Sequence, residues 1–220
     1  MSVIHQTTLS PTKLELLSAW LPSKPWYRGG AGGPELAKAG GFRLDDPEGE
    51  VGIEFMVVND TSGAHPTAYL VPLTYRGSPL DGAQHALVGT SEHGVLGQRW
   101  VYDGLHDPLL VAQLLALIEG RVQAQAQSVS DTLDREVSRS YIGDGPVTTH
   151  VTVSVVDDQE GTELPTSCGA LRLNRVLRPA PDNAPVRPLE AIGHVAGWWQ
   201  MPDGPRVQGL FVTLHTGAHA

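Results

Sequence analysis

The amino-acid sequence predicts an α+β protein in which antiparallel β-sheet dominates and helices are few. Between Glu50 and Asp107, apolar and polar residues alternate in short runs interrupted by glycine, proline and aspartate. This alternation is typical of an antiparallel meander with one buried face. Strand-like patterns return after residue 130, and two segments of helical pattern each begin at a capping residue followed by proline.

The first half of the chain is predicted to contain one helix and five strands. The helix begins at Ser10-Pro11, where a serine N-cap precedes a proline at the first helical position. Leu14, Leu17 and Trp20 then fall on one helical face, and a following proline ends the helix. Turn-forming residues separate the predicted strands. These strands are 36–44, 51–59, 67–75, 85–90 and 97–102.

A second helix is predicted after Asp107-Pro108 and ends at Gly120. Because apolar residues lie on nearly all its sides, we expect this helix to be largely buried. The polar segment 121–130, rich in alanine and glutamine, indicates a linker or a helix extension at a domain boundary. Strand patterns then occupy 134–142, 147–158, 167–179 and 207–216.

Composition limits the function classes. The 220 residues, 40% of them apolar, can form one good core or two small ones. The formal net charge of −9 leaves no basic stripe for phosphates, so we expect no nucleic-acid partner. Cys168 is the only cysteine, which excludes an intrachain disulfide and is consistent with a reducing cytoplasm. No stretch has the roughly 18 apolar residues of a membrane span, so we expect a cytoplasmic protein with no membrane contact.

Several stretches of the chain resemble a known family. The segment LPSKPWYRGGAG at 21–32 and the meander at 50–107 resemble the N-terminal cap of actinobacterial maltokinases and related sugar kinases. ALRLNRVL at 170–177 is similar to the kinase N-lobe strand that carries the nucleotide-binding lysine, with Arg172 at that position. The stretch 194–217 resembles the strand with a Gly-Trp pair that leads to the hinge-side strand. The resemblance implies a cap-like domain at 1–125 and a kinase N-lobe-like region, lacking a C-lobe, at 126–220.

The resemblance also implies a truncated kinase. Phosphoryl transfer in kinase-like folds needs a catalytic-loop aspartate followed by an asparagine, and a second aspartate that holds magnesium. The sequence contains no His-x-Asp or Asp-Phe-Gly in the required order. Arg172 would place a longer planar fork where the family has a compact ammonium group. We therefore expect no kinase activity from this chain alone, no cofactor, and no catalytic or cofactor-binding residues.

Other patterns of reactive residues are weak. A metal or acid–base site could form if the meander brought together the loops that carry His85, His93 and His106-Asp107. Histidines scattered through a β protein rich in glycine and proline often lie near carboxylates by chance, so we predict no metal site. The glycine-rich segment 28–33 lacks the Lys-Ser/Thr that completes a phosphate-binding loop, and Cys168 has no adjacent base.

Aromatic residues offer surfaces that could stack on sugar rings or contact proteins. Five tryptophans beside only three phenylalanines are more simply interpreted as large core residues, so a carbohydrate ligand is the lesser expectation. The aromatic residues considered are Trp20, Trp26, Tyr27, Trp100, Tyr102, Trp198 and Trp199.

The function favoured by the sequence is a non-catalytic, cap-like module that binds or regulates a protein of α-glucan, maltose or trehalose metabolism. Two alternatives stay open: a sugar- or small-ligand-binding protein, and a kinase subunit completed in trans. A kinase N-lobe without its C-lobe would expose an apolar face, which predicts a protein partner or self-association through the second half. The candidate interface or ligand contacts are Trp198, Trp199, Leu210 and Phe211.

Overall fold

The computed structural model describes residues 9–127, 129, 132–148, 155–181, 186, 188 and 190–217. In the first half, the elements are β1 (Leu9–Ser10), α1 (Lys13–Trp20), β2 (Leu36–Leu44), β3 (Gly52–Asp60), β4 (Thr67–Arg76), β5 (Leu87–His93), β6 (Gly97–Asp103) and α2 (Pro108–Glu119). In the second half, they are β7 (Ser138–Tyr141), β8 (Val156–Asp157), β9 (Gly161–Thr166), β10 (Gly169–Asn174), β11 (Val176–Leu177), β12 (Ala191–Gln200) and β13 (Arg206–Thr216). Short 3-10 helices lie at Leu21–Ser23, Gln84–Ala86 and Gly104–His106.

The strands form one antiparallel sheet. Its order is β1-β5-β6-β4-β3-β2-β12-β13-β10-β9-β8, while β11 pairs with β4 and β7 pairs with β12. Two strand pairings join the halves of the chain: Trp199 of β12 pairs with Gly40 of β2, and Val176 of β11 pairs with Tyr69 of β4. The cap-like half and the second half therefore share one sheet.

The structure confirms a mainly antiparallel β-sheet with a few short helices. Strands β2 to β6 agree with the five predicted strands to within three residues at each end. Helix α2 begins after the N-cap Asp107 and ends at Gly120, whose φ of 80° favours glycine. Helix α1 instead takes Thr12 as its N-cap, with a capping box formed by Thr12 and Glu15. That the second half resembles a kinase N-lobe stays a prediction.

No helix in the described part of the chain is long and apolar enough to cross a membrane. The expected strand pattern within 147–158 falls partly on residues 149–154, which lie outside the described residues.

Strand β3 shows why the central strands are buried on both faces. Its alternate residues Ile53 and Phe55 point into the main core, while Met56 and Val58 point into a second core. The main core lies between the sheet and α2 and includes residues of β10, β12 and β13. The second core lies under α1 and contains the aromatic residues Trp20, Trp26 and Tyr69.

The predicted linker is docked onto the sheet. Arg43 of β2 and Gln125 exchange backbone hydrogen bonds of 2.9 Å in both directions, so the segment after α2 continues as extended chain rather than as helix. Residues from both sides of position 125 also fill the main core. The boundary between 1–125 and 126–220 therefore stays a prediction about family relationship, because pairing and packing cross it.

Glu54 of β3 is a buried carboxylate on the side of the strand that faces the second core. Glu54 is ion-paired with Lys13 of α1, and it accepts hydrogen bonds from Tyr75 Oη at 2.7 Å and from Gln127 Nε2 at 3.0 Å. Burial alone would raise the pKa of Glu54, but the charge and hydrogen bond of Lys13 and the hydrogen bond of Tyr75 outweigh it and hold the pKa below the ordinary value. The folded state therefore stabilises the ionised carboxylate.

We expect this network to make the protein sensitive to acid. A carboxylate whose pKa is lowered on folding contributes stability above its unfolded pKa of about 4.3, and this stability is lost as the pH falls through the folded pKa. Glu54→Gln should lower the unfolding free energy by about 1–3 kcal/mol at pH 7. As the pH falls below about 4.3, the unfolding free energy of this variant should decrease less than that of the wild-type protein. Urea unfolding between pH 7 and pH 3.5 measures both effects.

The matched control is Glu48→Gln at an exposed turn, which should change the unfolding free energy by no more than about 0.5 kcal/mol. Equal pH dependence in wild-type protein and Glu54→Gln would contradict the assignment of acid sensitivity to this carboxylate.

Candidate functional site

A buried polar junction connects the two halves of the chain. Arg175, between β10 and β11, is 0% exposed, and its Nη2 donates to both carboxylate oxygens of Asp103 at 2.8 and 2.6 Å. Its Nε donates to Thr162 Oγ1 at 2.6 Å, and that hydroxyl donates to Asp157 at 2.5 Å. The backbone N–H of Leu70 donates to the Arg175 carbonyl, which fixes the arginine against β4.

The same arginine lies against the aromatic residues of the second core. Its guanidinium carbon is 5.1 Å from the centre of the Trp26 ring, a cation–π distance. Arg175 Nη1 and Trp26 Nε1 are buried and have no hydrogen-bond partner among the described residues. The Asp103 carboxylate therefore neutralises the Arg175 charge, although two polar N–H groups stay unsatisfied.

Two histidines meet at the outer side of this junction. His85 Nε2 lies 3.1 Å from His106 Nδ1, and the two rings are nearly perpendicular. Burial is the main cause that lowers the pKa of His106, with the nearby Asp103 acting in the opposite direction. Burial therefore favours the neutral form of the His106 ring.

The other residues of the hypothetical histidine site lie elsewhere. The His93 ring accepts from the backbone N–H of Leu96 in the β5–β6 turn, and Asp107 forms a bidentate ion pair with Arg76 at 2.7 Å. Among the residues that the structure describes, no group of three or more His, Cys, Asp or Glu side chains could hold a metal ion.

A second set of charged residues lies on the surface near the junction. Glu160 forms ion pairs with both Arg28 and Arg178. Arg172, the residue at the family's lysine position, makes a bidentate ion pair with Asp158 at 2.7 and 3.0 Å. The hydrogen bonds from Arg172 hold the pKa of Asp158 well below its usual range. Arg172 of β10 thus has a structural partner in the turn between β8 and β9.

A pocket of about 330 Å³ opens beside Glu160 and Arg178. Most of its wall is aliphatic or proline, and Asn174 closes one side by donating from Nδ2 to the carbonyl of Leu210 at 3.1 Å. Its lining residues are Glu160, Asn174, Val176, Arg178, Pro179, Ala180, Pro181, Val186, Pro188 and Leu210.

The structure separates the four candidate contact residues into two groups. Trp199 and Phe211 are 0% and 1% exposed and belong to the main core, where their rings lie 6.1 Å apart. Trp198 is 38% exposed, and Leu210 is half-buried and lines the pocket. Trp199 and Phe211 therefore contact this chain's own residues, and the prediction of an interface stays a prediction for Trp198 and Leu210.

Strand pairing places Trp198 and Leu210 on one face. Trp198 is opposite Gln208, and Ala196 is opposite Leu210, so these four side chains lie on the same side of β12 and β13. The pocket adds Arg178 to this surface. We call it the Trp198 face and define it by Trp198, Gln208, Leu210 and Arg178.

Sequence reasoning missed the residues of the buried junction. Asp103 and Arg175 are 72 positions apart, so no local spacing connects them. The available signal was an arginine within the strand-like segment RLNRVL, because a charge in an apolar strand requires either exposure or a buried partner. The sequence alone does not show whether Arg175 is exposed or has a buried partner.

The fold is that of an α+β domain in which a strand meander is covered on one side by a short helix and an aromatic cluster. Residues 20–107, from the end of α1 to the N-cap of α2, match the family model described as the maltokinase N-terminal cap domain. Residues 20–107 are therefore similar to a maltokinase N-terminal cap domain, as the resemblance of the sequence indicated. No curated protein matches the chain.

Proposed function

We propose that this chain is a non-catalytic, cap-like module that binds or regulates a protein of α-glucan, maltose or trehalose metabolism. The cap-domain match supports the metabolic setting. The half-exposed Trp198 beside an apolar pocket carries the proposal of an interaction surface. A tryptophan held on a paired strand offers a large, rigid contact area at little cost in conformational entropy.

The composition of the Trp198 face supports a protein partner. Tryptophan and arginine dominate the binding energy of protein interfaces, especially next to a well-formed pocket. On this face Trp198 lies on the same side as Leu210, which lines the pocket together with Arg178. Over 206–210 the strand β13 is paired with β12, and the backbone N–H of Ala180 donates to the Gln208 carbonyl. The surface is therefore rigid before a partner binds, which reduces the entropy that binding must overcome.

The alternatives receive less support from the geometry. A sugar site would combine aromatic stacking with convergent polar groups, whereas the described lining of the pocket is mostly aliphatic and proline. A kinase subunit completed in trans would use Arg172 to hold phosphate, but Asp158 already occupies that guanidinium. Protein binding is therefore the function that we favour.

We expect an enzyme of maltose, trehalose or α-glucan metabolism to co-purify with the tagged chain from its native cells. Trp198→Asp should lower its recovery at least about tenfold, since losing an interface hot spot costs about 2 kcal/mol or more. Quantitative mass spectrometry measures recovery, and circular dichroism verifies that the variant is folded.

Val95→Asp is the matched control, because Val95 is 62% exposed in the β5–β6 turn. It should leave recovery of the enzyme unchanged. The proposal fails if no such enzyme is recovered above an untagged control, or if Trp198→Asp and wild-type chain recover it equally.

A further inference from the structure

We infer that the loop between β4 and β5, residues 77–86, is a lid that opens in mildly acidic solution when the His85–His106 pair binds a second proton. We call this loop the lid. It packs against Tyr102 and Trp100 of β6, so its opening would expose these two aromatic side chains. The change lies within the chain itself and does not depend on the partner proposed for the Trp198 face.

The lid packs on a small core of its own. This third core is separate from the main core and from the second core. Its buried members are Ala83, Ala86 and Tyr102, and the partly buried Leu80, Leu87 and Trp100 pack against them. Because few apolar side chains hold it, the lid can open locally at a lower free energy than the whole protein unfolds.

Hydrogen bonds hold the lid near both of its ends. The backbone N–H of Leu80 donates to Tyr102 Oη at 2.9 Å. At the other end, His85 Nε2 lies 3.1 Å from Nδ1 of His106, which belongs to the 3-10 helix after β6. Within the lid, the backbone N–H of Ala86 donates to the Ala83 carbonyl at 2.9 Å. Loss of the histidine contact would therefore free the end of the lid that leads into β5.

The histidine contact can hold only one proton between its two nitrogens. At this distance one ring nitrogen donates, and the other must accept through its lone pair. A first added proton binds a ring nitrogen outside the contact, so a singly charged pair keeps the hydrogen bond. A second added proton has to occupy the accepting nitrogen, and two N–H groups on two positive rings then face each other. The doubly protonated pair therefore cannot keep the contact.

The surroundings of His106 make the second proton unfavourable while the lid is closed. Charged and titratable groups face this ring from neighbouring elements. They are Asp103, Asp157, Arg175, His85 and the ion-paired Asp107 and Arg76, and the lid itself carries the exposed Asp81. Burial is the main cause that lowers the pKa of His106, and the carboxylates of Asp103 and Asp157 do not reverse the shift. Asp103 is already ion-paired with Arg175, whose charge also disfavours protonation of the ring.

The direction of this shift sets the direction of the switch. Because the pKa of His106 is lowered in the closed state, the open state binds more protons below the ordinary histidine pKa of about 6.5. The stability of the closed lid is therefore fully present above that pH. It is lost as the pH falls from there toward the lowered pKa.

Amide hydrogen exchange of the full chain, measured by NMR at pH 7 and pH 5.5, tests the lid. Protection factors, which correct for the intrinsic effect of pH on exchange, should fall about three- to eightfold at Leu80 and Ala86. The upper value is that for one additional proton on a free histidine with a pKa of about 6.5. The amide of Arg43, which donates to the Gln125 carbonyl in the body of the sheet, should change by less than about twofold.

The matched variants are His106→Gln and His65→Gln. A glutamine amide can donate to His85 or accept from it at either pH, so lid protection in His106→Gln should differ by less than about twofold between the two pH values. His65 is exposed in the turn between β3 and β4, and its replacement by glutamine should leave the wild-type loss of protection unchanged. Both variants remove one histidine, so they differ only in position.

The lid is ruled out if Leu80 and Ala86 of the wild-type protein are as protected at pH 5.5 as at pH 7, or if Arg43 loses protection to the same extent. It is also ruled out if His106→Gln shows the wild-type loss. A His106→Gln protein whose lid is unprotected already at pH 7 would support the role of the histidine contact in closing the lid, and the wild-type comparison then decides the dependence on pH.

Discussion

Arg175→Met should lower the unfolding free energy by about 3–5 kcal/mol, the usual cost of leaving one member of a buried ion pair without its partner. Asp103 is 2% exposed and would lose both hydrogen bonds from the guanidinium. Methionine retains much of the arginine's volume, so the loss reflects charge more than packing. Equilibrium urea denaturation at pH 7 measures it.

The control is the same substitution at Arg172 of β10, whose side chain is partly exposed. Arg172→Met removes the ion pair with Asp158, which is partly solvent-exposed, and should cost no more than about 1 kcal/mol. Combining Arg175→Met with Asp103→Leu should recover much of the loss, because no buried charge then stays unpaired. Equal costs for the two single arginine variants would contradict the assignment of Arg175 as the buried charge of the junction.

Trp199→Ala should lower the unfolding free energy by about 3–5 kcal/mol, whereas Trp198→Ala should cost no more than about 1 kcal/mol. Trp199 fills the main core, and its ring lies over Gly209, which has no side chain to displace it. Trp198 is on the opposite face and is partly exposed. The two variants change the same residue type at adjacent positions of one strand. Equilibrium urea denaturation measures the unfolding free energy of each.

Similar losses for the two tryptophan variants would show that Trp198 is also a core residue. The Trp198 face would then lose its main element. A small cost for Trp199→Ala would contradict its position in the main core and reopen its role as a contact residue.

The sequence predicted the first half of the fold closely because its signals are local. The N-cap Asp107, the following proline and the terminal Gly120 define α2 within one segment. Alternation and turn residues define β2 to β6 in the same way. Helix α1 was misplaced at its start because two neighbouring polar residues could act as N-cap, and the capping box with Glu15 selects Thr12.

Non-local features could not be predicted in this way. Strand β9 has a proline and turn-like flanks, so its pattern is weak, and pairing with β10 defines it. The contact of Arg175 with Asp103 depends on how β10 returns to the first half. The four candidate contacts also could not be separated locally, because a register shift between Val195 and Ala196 changes which residues of β13 share a face.

Residues of both halves of the chain lie at or support the proposed binding surface. The pocket, Arg178 and Trp198 belong to the second half, yet Arg28 comes from the cap-like half and pairs with Glu160 at the edge of the pocket. The cap-like domain therefore contributes one charge to the proposed binding surface and supports the strand that carries Trp198 through the pairing of β2 with β12. We propose that the two halves act as one binding unit.

Photo-crosslinking from position 198 tests the proposed protein-binding function most directly, because it reports contact at the residue itself. The photoreactive amino acid p-benzoylphenylalanine replaces Trp198 in the native cells, and Val95 in a parallel strain serves as the exposed control. We predict a crosslink from position 198, and none from position 95, to an enzyme of maltose, trehalose or α-glucan metabolism. Failure to crosslink such an enzyme from position 198, or equal crosslinking from both positions, would contradict the proposed function.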